Sequence, residues 1–437
     1  MHVPARPLTL AVLPLLLGLT LCAGLAGCVS QTDAAGITRI RMCFFGGYEE
    51  WKLWQGMKKA FEAENPDIRL KLHYWPGNYE DKLKLTFAAR TAPDIISAQD
   101  EPFPAYVARG QFTDLTPYVK ASGDFYSPAR YFQTALPTFQ IDGRQYAIPW
   151  DGGQIMIYYN RGLFKRLGVP EPDPNWTLDD FVETCKRLTG DDDGDGRVDH
   201  FGFDLSASWM YSFIPFLWDF GGDIIDPEMR KCTVNTPEGI ATLQFLRDLR
   251  YRWHVSPQPG EMGAGTGGSG MFMTGYLGMQ ITGPWNLPFM RKTDLDWDVA
   301  HMPIGPGGRF TRGTWDALAL YSGSKHKDAA WKFIMFATGP QGQRRVARSG
   351  RAMPPRKAQS HEEAFLRPDT PQHEEIFLEG MRYFRTQRMP VTWAEMNTVL
   401  TREYEKLMLP DGDARQVAAA MEREIDKELA APPVTAY

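Results

Sequence analysis

One short stretch of the sequence carries carboxylates at a spacing typical of calcium-binding loops. Positions 1, 3, 5 and 9 of this stretch are filled by Asp191, Asp193, Asp195 and Asp199. Gly196 at position 6 permits the tight turn that brings several oxygens around a hard cation. Position 12 is Gly202, where such a loop normally has a glutamate. A structural Ca²⁺ site and a solvated acidic loop are therefore both open interpretations, and neither is catalytic.

The motifs of common enzyme classes are either absent from this sequence or lack the structural context that they require. GxGxxG occurs at Gly263, Gly265 and Gly268, but no strand precedes it, which argues against a dinucleotide site. The sequence contains no GxxxxGK phosphate loop, no HExxH zinc motif and no GxSxG nucleophile turn. The two carboxylates of a glycosidase meet only in space, so a secreted carbohydrate-active hydrolase stays an alternative.

The N-terminus has the pattern of an export signal. Leu8 to Leu21 is almost wholly apolar and too short to span a bilayer comfortably, and Pro14 further disfavours a membrane helix. The following Leu25–Cys28 segment resembles the lipobox of bacterial lipoproteins, in which the cysteine is acylated. We therefore predict a signal peptide over 1–27, lipidation of Cys28 and a short tether over 28–36, with membrane anchoring through the lipid.

Length and charge limit the remaining possibilities. Removing residues 1–27, which include the single charged residue Arg6, leaves 410 of the 437 residues and 47 of the 48 basic side chains, against 53 acidic ones. A chain of this length exceeds one hydrophobic core, so two lobes are expected. The acidic balance and the lack of a basic block argue against a nucleic-acid ligand.

The cysteines of the mature chain do not indicate a disulfide scaffold. Their number is odd and none belongs to a CxxC motif, so we predict buried thiols at Cys43, Cys185 and Cys232.

The elements that would position these groups alternate between strand and helix. Clean alternation of apolar residues predicts strands near 39–44 and 67–75, each followed by a helix of 3.6-residue periodicity, and a third strand at 94–97. Further strands are predicted at 154–159, 279–281, 297–300 and 317–321. Two further helices are predicted to begin at Thr177 and Thr236, and others to span 326–338, 340–349 and 413–429. This order is typical of an open α/β sheet.

Several of these segments, in their order along the chain, resemble the extracellular sugar-binding proteins of bacterial ABC importers, the group that includes maltose-binding protein. The stretches that carry the likeness are FEAENPDIRLKL, TAPDII, QFTDLTPYV, YAIPW with IYYNRGLF, MQITGPW and SKHKDAAWKFIMFAT. The resemblance implies an α/β, two-lobed periplasmic-binding-protein-like (Venus-flytrap) fold with a ligand cleft between lobes. It places the N-lobe at 37–150 plus 305–350 and the C-lobe at 151–304 plus 351–437.

Three tryptophans lie near strand ends and predicted crossovers. Trp150 stands at the first crossover, Trp285 in a Gly-Pro-Trp turn, and Trp315 between Gly313 and Asp316. A pyranose stacks its C–H face on an indole while polar groups bind its hydroxyl rim. Ligands of open α/β sheets bind beyond the carboxyl ends of strands, so we expect these three rings in the cleft. The alternative for each is a core position.

The resemblance also implies ligand contacts from the N-lobe. Tyr48 and Glu49 follow the first strand and its two glycines, and Asp100 follows the third strand at a position where relatives use a carboxylate. The neighbours Gln99 and Glu101 are alternatives for that role. Tyr79, at the start of the second helix, is a weaker candidate. Glu49 has a further alternative role as a carboxylate stabilised by the N-terminal dipole of its helix.

On the C-lobe side, the resemblance points to an aromatic residue before Gly221-Gly222. Trp209 and Tyr211 both fit this position, and the sequence does not decide between them. Arg351, near the third crossover, either binds ligand hydroxyls or an anionic group, or caps the carbonyls of the preceding helix.

Together these features predict a non-enzymatic, monomeric receptor that binds a carbohydrate and delivers it to the permease subunits of an ABC importer. A glycerophosphodiester or another polar solute is the alternative ligand, and a secreted hydrolase is the alternative class. No cofactor is expected apart from the possible structural Ca²⁺.

Overall fold

A computed structural model describes residues 36–205, 209–258, 261, 268–362, 365–366 and 371–431. The predicted signal peptide, Cys28 and nearly all of the tether lie outside these residues. Within the described part of the chain, no helix combines the length and the apolar character needed to cross a membrane.

Strands are present near all seven predicted positions, and five further strands of the described residues were not predicted. The strands are β1 (Thr38–Phe44), β2 (Ile68–Tyr74), β3 (Ile95–Gln99), β4 (Gln140–Ile141), β5 (Arg144–Gln145), β6 (Ala147–Gln154), β7 (Met156–Asn160), β8 (Phe201–Phe203), β9 (Leu277–Thr282), β10 (Trp297–Ala300), β11 (Thr311–Leu320) and β12 (Phe384–Thr386).

The α-helices of the described residues are interspersed with these strands along the chain. They are α1 (Tyr48–Glu64), α2 (Tyr79–Ala88), α3 (Phe103–Ala108), α4 (Thr116–Ala121), α5 (Arg161–Leu167), α6 (Leu178–Arg187), α7 (Trp209–Asp219), α8 (Pro237–Tyr251), α9 (Gly268–Met273), α10 (Leu287–Met290), α11 (Lys327–Thr338), α12 (Pro340–Ser349), α13 (Lys357–Ser360), α14 (Ile376–Glu379), α15 (Trp393–Leu407) and α16 (Ala414–Ala430).

Two sheets define two lobes. In the N-lobe, β1 pairs in parallel with β2 and β3, and the long strand β11 runs antiparallel to β3 and β6 and parallel to β12. In the C-lobe, the described strands run in the order β10-β7-β9-β8. Helices α15 and α16 pack beside α7 and α8 in the C-lobe core. Because β1 and β3 are parallel, their carboxyl ends point toward the same edge, where the loop after each strand meets the other lobe.

The chain passes between the lobes three times, and the first and third passages lie later along the chain than the limits expected from the sequence. The first passage lies at Ile155, between β6 and β7, and the second between β10 and β11. Residues 351–386 were assigned to the C-lobe, but Met353 bridges Gly152 and β12 lies in the N-lobe sheet. The third passage therefore follows β12. The pattern of apolar residues over 351–386 does not indicate to which lobe this segment belongs.

Helix caps and buried cysteines agree with the sequence patterns. Thr177 and Asp180 form a complete capping box at the start of α6, and the Thr236 side chain caps α8 just before Pro237. Cys43, Cys185 and Cys232 are all free and buried.

Candidate ligand-binding cleft

A cavity of about 310 Å³ lies between the two lobes, beyond the carboxyl ends of β1 and β3. This volume is at the lower end of the range for small-molecule sites, about 300–1,000 Å³. Its N-lobe lining is Phe45, Gly46, Gly47, Glu49, Glu50, Gln99, Glu101, Arg312, Thr314, Asp316 and Arg351, and its C-lobe lining is Tyr211, Trp285, Asn286, Pro288 and Phe289.

The glycine at the end of β1 allows a carboxylate to reach the cavity floor. Gly46 has φ +113°, a conformation that side chains rarely adopt. A Cβ atom there would lie 1.8 Å from Oε2 of Glu50. The turn into α1 thus needs glycine at this position, because the Glu50 carboxyl folds back beneath it.

Strand β11 supplies the centre of the floor. Arg312, Thr314 and Asp316 all line the cavity, and they alternate along the strand with residues that face the core. Across the sheet, Asp316 is paired in register with Asp151 of β6. The pairing brings two carboxyl groups side by side on one face of the sheet.

Arg351 joins two carboxyl groups under the cavity, those of Glu50 and Asp151. Its Nη2 lies 3.0 Å from Oε2 of Glu50, and its Nη1 donates a hydrogen bond to Asp151. Burial raises the pKa of Glu50 to about 7 and that of Asp151 to about 6, and Arg351 opposes both shifts. Burial, followed by Asp151 and Glu50, raises the pKa of Asp316 well above its usual range.

A second guanidinium lies at the end of β3. Arg312, almost fully buried, donates from Nη2 to Oε1 of Glu101 over 3.0 Å. Asp100 is buried below the floor, where burial raises its pKa to about 7 and Arg312 acts in the opposite direction. The N-lobe floor is therefore densely charged, with acidic groups in excess.

The C-lobe wall is aromatic. The Tyr211 ring from α7 lies 5.6 Å from the Trp285 ring, measured between centroids, at an interplanar angle of 38°. Phe289 of α10 is half-exposed and also lines this wall, and a Cβ atom added at Gly47 of the N-lobe would lie 3.6 Å from its Cζ. The side-chain amide of Asn286 is oriented by a 2.9 Å hydrogen bond from Nδ2 to Oγ1 of Thr282. An apolar wall thus faces a polar floor.

At the mouth of the cleft, one carboxylate connects the lobes. Glu49 accepts from Nζ of Lys52 at 2.6 Å and from Nζ of Lys292 in the C-lobe at 2.9 Å. The hydrogen bonds from Lys52 and Lys292 lower the pKa of Glu49. In this structure the Glu49 carboxylate is therefore ion-paired with both ammonium groups.

A family model describes this architecture. The model of the bacterial extracellular solute-binding proteins matches residues 50–344, about two-thirds of the chain. The chain belongs to this family of solute-binding proteins.

Individual relatives and solved structures agree with that membership. The solute-binding protein is 28% identical over 289 residues to a binding protein of Brucella abortus, covering 65% of this chain and 67% of the relative. It is 25% identical over 361 residues to the arabinooligosaccharide-binding protein of Bacillus subtilis, covering 77% of each. An ABC substrate-binding protein of Listeria monocytogenes, solved in complex with cycloalternan, superposes with a TM-score of 0.83 at 24% identity, covering 91% of this chain and all of that one.

Of the three tryptophans expected in the cleft, the solute-binding protein brings only Trp285 to the cavity. Trp150 and Trp315 are 0% exposed. The Trp150 ring lies 4.5 Å from that of Trp54, and Nε1 of Trp315 donates to Oγ1 of Thr134 at 3.1 Å. Both tryptophans are inside strands, next to Asp151 and Asp316, and neighbours along a strand point to opposite faces. In this structure they are core residues, and their expected stacking on ligand is corrected accordingly.

Three further candidates lie away from the cavity. Tyr79 is buried, with its hydroxyl donating to the carbonyl of Ser97 at 2.7 Å. Trp209 is buried and donates from Nε1 to Asn397 at 3.0 Å, which leaves Tyr211 as the aromatic of that segment that lines the cavity. Asp100 is buried below the floor.

The other candidates lie at the cleft or its rim. Gln99 and Glu101, the neighbours of Asp100, line the cavity. Glu49 and Arg351 also line it, and Tyr48, 64% exposed, lies outside the lining.

Sequence reasoning missed Glu50, Arg312, Thr314 and Asp316. A signal for the last three was present, because Trp315 on the core face of β11 places residues 314 and 316 on the other face. Glu50 could not be distinguished from Glu49, since both begin the same helix.

The acidic loop forms the predicted kind of turn on the C-lobe surface. Single oxygens of Asp191, Asp193 and Asp195 lie within 4.8 Å of one another, and all three side chains are exposed. Asp191 also accepts backbone N–H bonds from Gly194 and Gly196. The fourth expected ligand, Asp199, instead accepts from the backbone of Asp192. Three oxygens would fit a hard cation, and a Ca²⁺ site there stays a prediction.

Proposed function

We propose that this protein binds a carbohydrate outside the cytoplasm and delivers it to the membrane permease of an ABC importer. The observation that carries the proposal is the cleft itself, in which the Tyr211–Trp285 wall of one lobe faces the carboxyl and guanidinium groups of the other. A sugar ring has one apolar C–H face and a rim of hydroxyls, so it matches an aromatic wall opposite a polar floor.

Oligosaccharide names among the similar proteins support this ligand class. The Bacillus subtilis relative is named for arabinooligosaccharides, and the Listeria monocytogenes structure holds cycloalternan. Ligand contacts from both lobes would favour the closed arrangement, because a ligand shifts a conformational equilibrium only by its differential affinity for the two states.

The charges of the cleft argue against the alternative of a glycerophosphodiester. Phosphate recognition needs free guanidinium or ammonium donors. Arg351 is engaged by Glu50 and Asp151, and Arg312 by Glu101. An anionic ligand would also lie beside the carboxyl group of Asp316, which lines the cavity.

We propose binding without turnover. Carboxyl groups of raised pKa are also found in glycosidases, so a hydrolase is the alternative that needs a direct test. Glu50 and Asp151 are almost fully buried and each is bound to Arg351, an arrangement suited to holding a polar floor rigid. Incubation with a labelled oligosaccharide, followed by chromatography of the released label, should return the oligosaccharide intact.

The location and partners follow from the family and the N-terminal sequence. Solute-binding proteins of this family are extracellular. We propose that lipidated Cys28 anchors a monomer to the outer face of the membrane, where it meets permease subunits whose ATPase partners are separate chains. The Leu25–Cys28 segment supports the anchor.

A thermal-shift screen against a library of mono- and oligosaccharides tests the proposed function. A ligand that binds only the folded state, present at about 100 times its dissociation constant, adds about 2.7 kcal/mol to the free energy of unfolding. The melting temperature should then rise by several degrees for a small subset of sugars. Glycerophosphodiesters serve as the comparison set. A shift with these and with no sugar would contradict the proposal.

A further inference from the structure

The floor of the cleft has more carboxyl groups than cations. Among the described residues, five carboxyl groups lie at or just below it: Glu50, Asp100, Glu101, Asp151 and Asp316. Two guanidinium groups face them, those of Arg312 and Arg351. Lys52 and Lys292 lie at the mouth and are held by Glu49. The described residues therefore give the floor more carboxyl groups than guanidinium groups.

Asp316 is the carboxyl group of the floor that lines the cavity without an ion-pair partner among the described residues. It lines the cavity and makes no ion pair within 4 Å with any described residue, whereas Glu50, Asp151 and Glu101 each have an arginine. Its neighbour across the sheet, Asp151, is itself acidic. Ionising a buried carboxyl group that has no cationic partner is costly, so this site favours a ligand group that brings positive charge.

We propose that the ligand, if the proposed carbohydrate function holds, is a sugar bearing a protonated amine, and that its ammonium group binds at Asp316. An ammonium group offers three hydrogen-bond donors and a full positive charge. Asp316 and the nearby oxygens of Glu50 and Glu101 are acceptors that face the same cavity. The apolar face of the same sugar ring would pack on Trp285, on the opposite wall.

The titration of the floor agrees with this placement. The groups around Asp316 are Asp151 from β6, Glu50 from α1, Asp100 after β3 and Arg351 after α12. Burial and the three carboxyl groups raise the pKa of Asp316, and Arg351 opposes them. An incoming ammonium group favours the ionised form of the carboxyl. Binding of an amino sugar should therefore release protons from the floor, and binding of a neutral sugar should not.

Matched sugars separate this inference from the proposed function. Titration calorimetry at pH 7 would compare D-glucose, D-glucosamine and N-acetyl-D-glucosamine, the corresponding galactose series, and cellobiose, chitobiose and diacetylchitobiose. In each series that binds, the free amine should bind at least about tenfold more tightly than its neutral and acetylated counterparts. Repeating the titration in two buffers of different ionisation enthalpy should reveal net proton release for the amine alone.

Asp316→Asn is the matched variant, because it keeps the shape and removes the charge. It should reduce the preference for the amine to less than about threefold, while the exposed Asp81→Asn on α2 keeps the full preference. Equal or tighter binding of the neutral or acetylated sugar to the unmutated protein would overturn the inference and leave the proposed function standing. Failure of every carbohydrate, here and in the library screen, would overturn both.

Discussion

The ring of Tyr211 lies 5.6 Å from the indole of Trp285, and both line the C-lobe wall of the cleft. Tyr211 comes from α7 and Trp285 from the turn after β9, so residues more than 70 positions apart form one aromatic surface. Trp285 is only partly buried. Because it lines the cavity, its ring is the surface on which we expect a sugar to stack.

Truncation of Trp285 should therefore affect binding more than folding. Stacking is worth on the order of 1 kcal/mol beyond area burial, so Trp285→Ala should weaken sugar binding by about tenfold or more. Titration calorimetry measures the affinity, and denaturant melts measure the stability. Trp253→Ala, a partly buried tryptophan on a separate C-lobe groove, is the control and should bind normally. Unchanged affinity of Trp285→Ala would remove this residue from the site.

The two core tryptophans should behave in the opposite way. Trp150→Ala and Trp315→Ala each leave a large cavity in a fully buried place, which should cost about 3–5 kcal/mol of unfolding free energy. The fraction that stays folded should keep an affinity closer to that of the unmutated protein than Trp285→Ala does. A variant that loses binding while its urea midpoint stays unchanged would place that tryptophan in the cleft after all.

Stability should fall as the pH rises through the range in which the floor ionises. The folded pKa values of Glu50 and Asp151 are about 7 and about 6, above the usual range of about 4. The folded state thus binds more protons than the unfolded chain between about pH 4 and pH 7, so this contribution is present at low pH and is lost above pH 7.

Urea unfolding at pH 5, 6, 7 and 8 measures this dependence. Asp316→Asn removes one of the interacting acids, so its stability should decline less steeply than that of the unmutated protein. The exposed Asp81→Asn should leave the slope unchanged. Identical slopes for Asp316→Asn and the unmutated protein would show that the floor does not titrate as described.

The acidic loop should respond to calcium if it binds the ion. Millimolar Ca²⁺ should raise the melting temperature and a chelator should reverse the rise, with little effect on sugar affinity, because the loop lies away from the cleft. Asp193→Ala combined with Asp195→Ala should abolish the response. A response that survives both substitutions would place the calcium site elsewhere.

Membrane attachment should depend on a single sulfur atom. Cys28→Ser should leave the protein without lipid and free of the membrane, whereas the unmutated protein should stay in the membrane fraction after a salt wash. Equal retention of both forms would contradict the predicted anchor.

The fold could be predicted from the sequence because its strands and helices keep their periodicities. Alternation in β1 and β2 and helical spacing in α1 located these elements to within a few residues. The third passage between lobes was placed too early, because β12 is a three-residue strand with no alternation to detect.

The site was harder to predict because a lining residue and a core residue can be neighbours in one strand. Trp315 and Asp316 have opposite environments, and alternation separates them onto two faces without saying which face is turned to the cleft. The register of Asp316 with Asp151, and the ion pair of Asp151 with Arg351, join residues up to about 200 positions apart. No local pattern contains that information.

The most direct test of the central claim combines binding and recovery of one ligand. An oligosaccharide selected in the library screen would be titrated calorimetrically into the purified protein, then recovered from the complex and analysed by mass. We predict saturable binding at one site per chain, weakened by about tenfold or more in Trp285→Ala, and recovery of the intact oligosaccharide. Recovery of shortened products, or saturable binding of phosphodiesters with none of any sugar, would contradict the account.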